Sequence, residues 1–287
     1  MVLAEQMNEK LARRRAAQLT KARERLEQYL PLLLGRFTFF KGAKGRGKTA
    51  SAVFTSKLLA AKYQRHIVTV GAKMSLLPEF GPHTALNEAD FVCQLAGINA
   101  VADEIDSLGY QPSEDEVELM LRTHRGCSDK RHDPAYSELD YNNARKLTER
   151  LTDKERTHIV GEGVPCYTAL NGVVLYKAIV MIDEGHELLG AQTASNPLVR
   201  LVCNFIDKMR HFQVTLFVMA PKRTAIAKRA RGQVDFVGDC FFDPRARRIR
   251  VQFRTPRMWH LNFDPARVWN MYESFNVLGF RGVNLTI

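Results

Sequence analysis

The hydrophobic positions of the chain fall into short apolar runs separated by loops and by longer mixed stretches. An apolar run at 36–42 leads into a glycine-rich loop, then into a small-residue stretch at 48–63, and then into a second apolar run at 65–73. A short apolar run indicates a buried strand, and a longer stretch without Gly or Pro indicates a helix. The order therefore predicts strand, loop, helix and strand, the beginning of a parallel βαβ unit.

The second half of the chain repeats this alternation. A long apolar run over 172–190 carries Asp183 and Glu184, and it predicts a central strand of a parallel sheet, buried on both faces. The elements predicted after it are a helix at 196–211, strands at 213–221, 233–242 and 247–255, and a short helix with coil over 263–280. The predicted fold class is α/β with a mainly parallel central sheet.

Two segments do not follow the alternation. Residues 1–30 are rich in Ala, Arg, Glu and Leu with apolar residues near helical spacing, which predicts a basic amphipathic helix. This helix either caps the domain or forms an arm that touches nucleic acid or a neighbouring subunit. Residues 74–172 are acidic and polar with few long apolar runs, and we interpret them as a largely helical or irregular insertion. The remainder, 31–287, is predicted to be one domain.

Composition narrows the choice of partner. The chain of 287 residues is 45% hydrophobic and 25% charged, and its net charge of +11 favours an anionic partner, either nucleic acid or a membrane surface. No apolar run approaches the ~18–20 residues of a membrane span, and we find no signal-peptide pattern. Five widely spaced cysteines without a CxxC pair indicate reduced thiols and not a disulfide framework. We therefore expect a soluble intracellular protein.

The loop at 42–49, GAKGRGKT, fits G-x-x-x-x-G-K-[ST] without a mismatch. Glycines let successive backbone N–H groups point at phosphate oxygens, and the following helix adds its positive N-terminus. In this motif the lysine reaches the β- and γ-phosphates and the hydroxyl holds Mg²⁺. The residues predicted to bind nucleotide are Gly42, Ala43, Lys44, Gly45, Arg46, Gly47, Lys48, Thr49 and Ala50, with Thr49 also binding the metal.

A second acidic strand is needed to position Mg²⁺, and two segments compete for that role. Asp103–Glu104 follows a short run interrupted by Asn99, whereas Asp183–Glu184 follows the unbroken apolar tetrad 179–182. We choose Asp183 as the Mg²⁺-linked carboxylate, acting through water, and Glu184 as the general base or water-orienting residue. Asp103–Glu104 stays in reserve, and its other interpretation is a helix end with solvated acids.

With the loop and the segment IDEGHELL in place, the remaining motifs resemble the HerA/FtsK branch of P-loop ATPases, which has a RecA-like core. The resemblance is closest to Zot-like proteins and to the genome-packaging ATPases of viruses with internal membranes. It covers 35–73 and 173–275 and includes a helix ending in Arg210–His211 and an R-x-R…DF segment at 229–236. The sensor strand lacks the glutamine of that group, so either Lys222 or a backbone group would substitute for it.

The resemblance implies a ring, commonly a hexamer, with ATP and Mg²⁺ between subunits and an arginine from the neighbour at the γ-phosphate. Arg231 is the first candidate for this arginine and Arg229 the second, and the alternative is that both are solvated or contact a polynucleotide. The implied partners are double-stranded DNA and a capsid or membrane portal vertex. The implied location is the host cytoplasm or the virion.

The function most consistent with these features is an ATP-hydrolysing DNA translocase that packages a viral genome. A Zot-like ATPase for phage assembly and extrusion is the first alternative, although such proteins usually carry a membrane span. A nucleotide-gated adaptor without motor activity is the second, favoured by the absent sensor glutamine. A small-molecule kinase fits the basic segment at 222–232 and the acidic pair poorly.

Overall fold

The computed structural model describes residues 17, 20, 24–71, 74–77, 80–81, 83–86, 88–123, 160–161, 164–165, 175–190, 197–254 and 258–274. The strands are β1 Phe37–Lys41, β2 Ile67–Val70, β3 Met74–Leu76, β4 Thr84–Leu86, β5 Val160–Gly161, β6 Val164–Pro165, β7 Ile179–Ile182, β8 Thr215–Ala220, β9 Phe236–Asp243, β10 Arg248–Phe253, β11 Trp259–Phe263 and β12 Tyr272–Ser274. The helices are α1 Lys48–Tyr63, α2 Glu88–Ser107, α3 Glu114–Thr123, α4 Pro197–Lys208 and α5 Lys228–Gly232, with short 3₁₀ turns at Leu30–Leu33, Arg223–Ala225 and Pro265–Arg267.

Eight strands form one sheet in the order β11-β10-β9-β1-β8-β7-β2-β4. From β9 to β4 all neighbours are parallel, and β10 and β11 add an antiparallel extension at one edge. Strand β8 separates β1 from β7, and its Val218 pairs with Phe39 on one side and Ile182 on the other. This shared register brings the carboxyl ends of β1 and β7 to the same edge of the sheet.

A hydrophobic core covers each face of the sheet, because successive strand residues point to opposite faces. On β1, Phe37 and Phe39 enter the core beneath α2, α3, α4 and α5, whereas Phe40 enters the core beneath α1. Strands β7 and β8 are buried throughout, as parallel strands between two helical layers must be. Strands β10 and β11 alternate between buried and more exposed residues, and their buried side chains all join the α1 core.

The sequence predictions agree with the structure in fold class and in most elements. The helix predicted at 48–63 has the same bounds as α1. Elements β1, β2, β7, α4, β8 and β10 lie inside or on their predicted ranges, and β9 extends one residue beyond its predicted end at 242. The predicted N-terminal helix is described only at 17, 20 and 24–29, where it is helical. The tail differs, because 263–280 contains a 3₁₀ turn and β12, which pairs with β3, in place of the predicted short helix.

The segment interpreted as an insertion begins inside the main body of the fold. Strand β4 pairs with β2 at the edge of the sheet, and α2 packs on α4. Phe91 of α2 is fully buried with its ring centroid 6.5 Å from that of Phe205. The apolar content of 74–172 is low on average, so the sequence did not indicate that β4 and α2, in its first part, belong to the main body of the fold. Residues 124–159, 162–163 and 166–174 lie outside the described part of the chain.

Within the residues that the structure describes, no helix combines the length and the apolar character needed to cross a membrane.

If α2 belongs to the main core, Phe91→Ala should destabilise the whole domain. We expect the free energy of unfolding to fall by about 3–5 kcal/mol, because the substitution leaves a large cavity between α2 and α4. Leu119→Ala on α3, where the side chain is 60% exposed, should cost about 0.5 kcal/mol or less. Urea unfolding followed by circular dichroism measures both. Equal and small losses for the two variants would contradict this placement of α2.

Candidate nucleotide site

The glycine loop lies where β1 ends and α1 begins. Gly45 and Gly47 have φ angles of 76° and 82°, in the left-handed region that favours glycine. Gly47 also packs tightly, because a Cβ there would lie 2.7 Å from Cδ1 of Ile249 on β10. As the N-cap of α1, Gly47 has no side chain to cap the first turn, and its carbonyl accepts hydrogen bonds from the backbone and hydroxyl of Ser51. The helix therefore presents its N-terminal N–H groups beneath the loop, as phosphate binding requires.

Thr49, in the first turn of α1, contacts the acid that follows β7. The Thr49 hydroxyl lies 3.3 Å from each carboxylate oxygen of Asp183, although the two residues are 134 positions apart in sequence. Only β8 lies between β1 and β7 in the sheet, so the start of α1, which follows β1, lies close to Asp183, which follows β7. A hydroxyl beside a carboxylate is an oxygen donor set of the kind that Mg²⁺ takes together with phosphate and water. These residues therefore fit a nucleotide-bound Mg²⁺.

Burial sets the acidity of Asp183. Desolvation raises the pKa of this carboxyl from its ordinary value of 3.8 to about 6. The backbone N–H of Glu184, which donates a hydrogen bond of 3.0 Å to Asp183, opposes this rise in pKa, as do the Thr49 hydroxyl and the charge of Lys48. Lys48 is itself only 8% exposed at the start of α1. Burial therefore disfavours the ionised form of Asp183 overall, and the nearby charge of Lys48 offsets only part of this cost.

Glu184 stands at a strained turn just beyond β7. Its φ angle is 48°, which is uncommon for a residue with a side chain. The next residue, Gly185, donates a backbone hydrogen bond of 2.7 Å to Met219 of β8 and lies against Val218. This close approach fixes the turn against β8. Backbone strain of this kind is commonly found at functional sites.

His186 is the neighbour of Glu184 on the far side of this turn. Its Nδ1 lies 3.3 Å from a carboxylate oxygen of Glu184, close enough for an ion pair when the ring is protonated but outside hydrogen-bond geometry. The sequence left His186 open between a packed histidine and a contact to nucleotide or polynucleotide. The structure places it beside the predicted general base.

The reserve acidic pair lies elsewhere. Asp103 and Glu104 are in the last turns of helix α2 and not at the end of a strand, and Asp103 forms an ion pair with Lys208 of α4. Glu104 is exposed. This agrees with the interpretation of a helix end with solvated acids, because the run before Asp103 lies within helix α2 and not in a strand.

The two candidate arginines lie on α5, in the connection from β8 to β9. Arg229 pairs with Asp207 near the C-terminal end of α4, and its side chain is 54% exposed. The Nε of Arg231 is buried and has no hydrogen-bond partner in the described part of the chain, while its backbone carbonyl accepts a bond of 2.6 Å from Arg223. The structure therefore joins Lys48, Thr49, Asp183 and Glu184 into one cluster and leaves these arginines outside it.

Sequence reasoning missed an ionic cluster behind the loop. Asp239 on β9 is 6% exposed, and its two oxygens lie 2.8 Å from Nζ of Lys41 and 2.5 Å from Nε of Arg254. The sequence signal for this cluster was Asp239 itself, an acidic residue in the second half of the predicted strand at 233–242. Burial raises the pKa of the neighbouring Cys240 thiol to about 12, and Cys240 lies directly beneath Gly42.

Tyr272 of β12 was also missed. Burial, together with the nearby charge of Asp183, raises the pKa of this phenol to about 12. The antiparallel pairing of β12 with β3 therefore brings the C-terminal part of the described chain close to the acid of the site. No local sequence pattern at 263–280 indicated this position.

The sequence matches no protein-family model and no curated protein. Among solved structures, the N-terminal domain of zonular occludens toxin from Neisseria meningitidis is 13% identical, with a TM-score of 0.40 over 84% of this chain and 100% of that domain. The pCW3 conjugation coupling protein TcpA, solved as a monomer with ATPγS, is 13% identical, with a TM-score of 0.41 over 82% of this chain and 64% of that one. A DnaB-like replicative helicase is 12% identical, with a TM-score of 0.35 over 79% of this chain and 56% of that one.

These likenesses are distant, and no feature of the site is inferred from them. The resemblance to Zot-like proteins that the sequence motifs indicated is nevertheless found again among solved structures. The mostly parallel sheet, the glycine loop after β1 and the acidic pair after β7 agree with the predicted α/β fold class with a RecA-like core.

Replacing Asp183 by Asn should stabilise the metal-free protein at neutral pH. The folded pKa of about 6 lies above the ordinary 3.8, so the contribution of Asp183 to stability falls as the pH rises through this interval. Above pH ~6 we expect the variant to be more stable than wild type by about 1–3 kcal/mol, since one pKa unit corresponds to about 1.4 kcal/mol. Urea unfolding in EDTA at pH 4 and pH 7 measures the difference.

Asp239→Asn is the matched control for this substitution. It removes a carboxylate that is paired with Lys41 and Arg254, so we expect a loss of about 1–3 kcal/mol under the same conditions. A metal-free Asp183→Asn protein that is less stable than wild type at pH 7 would contradict the proposed cost of burying this charge.

The turn after β7 can be tested through Gly185. A Cβ at this position would lie 2.2 Å from Cγ1 of Val218, so Gly185→Ala should cost roughly 1–3 kcal/mol of unfolding free energy. Val218→Ala removes the clashing methyl group. The unfolding free energy lost by the double variant should therefore be smaller than the sum of the two single losses by at least about 1 kcal/mol.

Gly232→Ala serves as the control for Gly185→Ala, because nothing lies within 4 Å of a Cβ there. We expect a change within about 0.5 kcal/mol for this variant. Strictly additive losses for Gly185→Ala and Val218→Ala, measured by denaturant unfolding, would show that the two residues do not compete for space.

Proposed function

We propose that the protein is a Mg²⁺-dependent ATPase that couples ATP hydrolysis to the movement of double-stranded DNA, as a viral genome-packaging motor. The observation that carries the proposal is the contact of Thr49 with Asp183 beneath the glycine loop, with Glu184 next in the chain. Nucleotide-binding modules without turnover need the loop alone. Hydrolysis needs, in addition, an acidic residue beside the metal-linked carboxylate to orient the attacking water or to accept its proton.

In this proposal the backbone N–H groups of the loop and Lys48 hold the β- and γ-phosphates, and Thr49 and Asp183 orient a bound Mg²⁺. The metal would neutralise charge on the phosphate oxygens as the transition state forms. Glu184 accepts a proton from the attacking water while the water oxygen bonds to the γ-phosphorus. The bond to the bridging oxygen breaks, and ADP and phosphate leave.

Neither candidate arginine belongs to the cluster around Lys48, and this favours a role for them in a neighbouring subunit. An arginine supplied across a subunit interface stabilises charge on the transferred phosphoryl group. We propose Arg231 for this role before Arg229, because Arg229 already pairs with Asp207. The corresponding assembly is a ring, with a hexamer as the expected form, working in the host cytoplasm or at a capsid or membrane vertex.

The net charge of +11 supports a nucleic-acid partner, since lysines and arginines bind phosphates without sequence preference. A nucleotide-gated adaptor is the second candidate function. Strand β8 ends at Ala220 and is followed by Pro221, so neither side chain supplies the amide of the sensor glutamine. An adaptor would bind ATP and assemble without turning it over.

ATP turnover with and without double-stranded DNA tests the proposal. We expect DNA to stimulate wild-type turnover, and Glu184→Gln to lower kcat about 100-fold or more while nucleotide binding persists, because the variant loses the proton acceptor. Asp103→Asn, which alters the acid on helix α2, should stay within twofold of wild type, roughly the scatter of such assays.

Hydrolysis that responds neither to DNA nor to Glu184→Gln would overturn the motor proposal. Tight ATP binding with no turnover in the wild-type protein would instead support the adaptor.

A further inference from the structure

A cavity of about 530 Å³ opens beside the glycine loop, and neither Thr49 nor Asp183 lines it. Its lining includes Lys41 at the end of β1, residues 239–241 of β9 and the exposed segment 221–224 that follows β8. The side chains of interest in its lining are Lys41, Arg46, Lys222, Arg223, Asp239 and Phe241. The cavity therefore shares one wall, the loop itself, with the proposed nucleotide site.

Cations outnumber acids in the lining of this cavity. Four of its eleven lining residues are cationic, and the single carboxylate among them, Asp239, is already paired with Lys41 on one oxygen and with Arg254 on the other. Arg223 is anchored through a hydrogen bond to the backbone carbonyl of Arg231. Lys222 is exposed at the rim. The charge in the cavity is thus arranged to receive an anion and offers no free carboxylate that would repel one.

The chemistry favours phosphate over a nucleobase as the occupant. A base pocket is enclosed and mostly apolar with a few placed hydrogen-bonding groups, whereas this cavity is open and carries four cationic side chains among its eleven lining residues. Phe241, with 46% exposure, is the one large apolar side chain and can contact a sugar or a base edge. Lysines and arginines around an open groove are the groups that hold a phosphodiester backbone.

We propose that this cavity is a binding site for the phosphodiester backbone of DNA, with Lys222 and Arg223 as its principal contacts. The proposal rests on the function proposed above and specifies where the nucleic acid meets the ATPase. Because Gly42, Ala43 and Arg46 belong both to the cavity and to the glycine loop, a DNA phosphate bound here lies against the segment that holds the nucleotide. DNA occupancy and nucleotide occupancy are therefore coupled through one loop.

The salt dependence of DNA binding tests the site. A fluorescein-labelled 30-base-pair duplex and the single strand of the same sequence are titrated with the full-length protein between about 50 and 200 mM salt, the range over which phosphate contacts are lost. Lys222→Ala should weaken duplex affinity about three- to tenfold and reduce the slope of log K against log salt by about 0.9, the value for one lost phosphate contact. Lys222→Arg should restore both, since it keeps the charge.

Lys62→Ala is the matched control. This exposed lysine lies in the last turn of α1, about 20 Å along the helix from the glycine loop, and its removal should leave affinity and slope unchanged. If Lys222 contacts DNA and does not substitute for the sensor glutamine, a fluorescent ATP analogue titrated without DNA should bind wild type and Lys222→Ala equally. Equal binding of the analogue would show that Lys222 belongs to a DNA site and is not part of the nucleotide site.

Three results would overturn the inference. Duplex affinity and salt slope that are unchanged in Lys222→Ala, with wild type binding DNA, would remove this site and leave the proposed function intact. A loss of ATP-analogue affinity as large as the loss of DNA affinity would assign the cavity to the nucleotide. Wild-type protein that binds neither duplex nor single strand would overturn the proposed function and this site together. Binding of the single strand alone, with the same change in slope, would keep the site and exclude the duplex as substrate.

Discussion

The contact between Thr49 and Asp183 is the interaction on which the candidate site depends. It joins the helix after β1 to the acid after β7, and it exists because one strand, β8, separates those two strands at a common register through Val218. A slip by one residue would turn side chains to the opposite face of the sheet and separate the hydroxyl from the carboxylate. The two buried cores that fix the sheet therefore also fix the chemistry at its edge.

This arrangement is costly to the folded state before any ligand binds. Asp183 is buried far enough to raise its pKa to about 6, and Glu184 has a left-handed backbone at a turn pressed against β8. In the proposed function, a bound Mg²⁺ would offset the cost of burying this carboxylate, and the acid in the strained turn would hold the attacking water. The ionic cluster around Asp239 holds Lys41, just before the loop, whereas Asp183 contacts Thr49 at the end of the loop, so charged groups lie at both ends of the glycine segment.

The parts predicted correctly were those with a local signal. The bounds of α1 and the position of strand β7 followed from short-range apolar patterns, because parallel strands buried on both faces read as unbroken apolar runs. The membership of α2 in the core was missed, because most of 74–172 is polar and the average over this range outweighed the apolar residues of its first part. The pairing of β12 with β3, and with it the approach of Tyr272 to Asp183, depends on contacts between positions almost 200 residues apart.

The sequence by itself determined the glycine loop, the helix that follows it, and the acidic pair after a buried strand, because each is a local pattern with its own physical requirement. Only the tertiary structure decided which carboxylate meets Thr49, how strongly burial raises its pKa, and that Lys41, Lys222 and Arg223 surround one cavity beside the loop. Those properties arise from the order of strands in the sheet. Strand order is set by the packing of two cores across the whole chain, and no short stretch of residues records it.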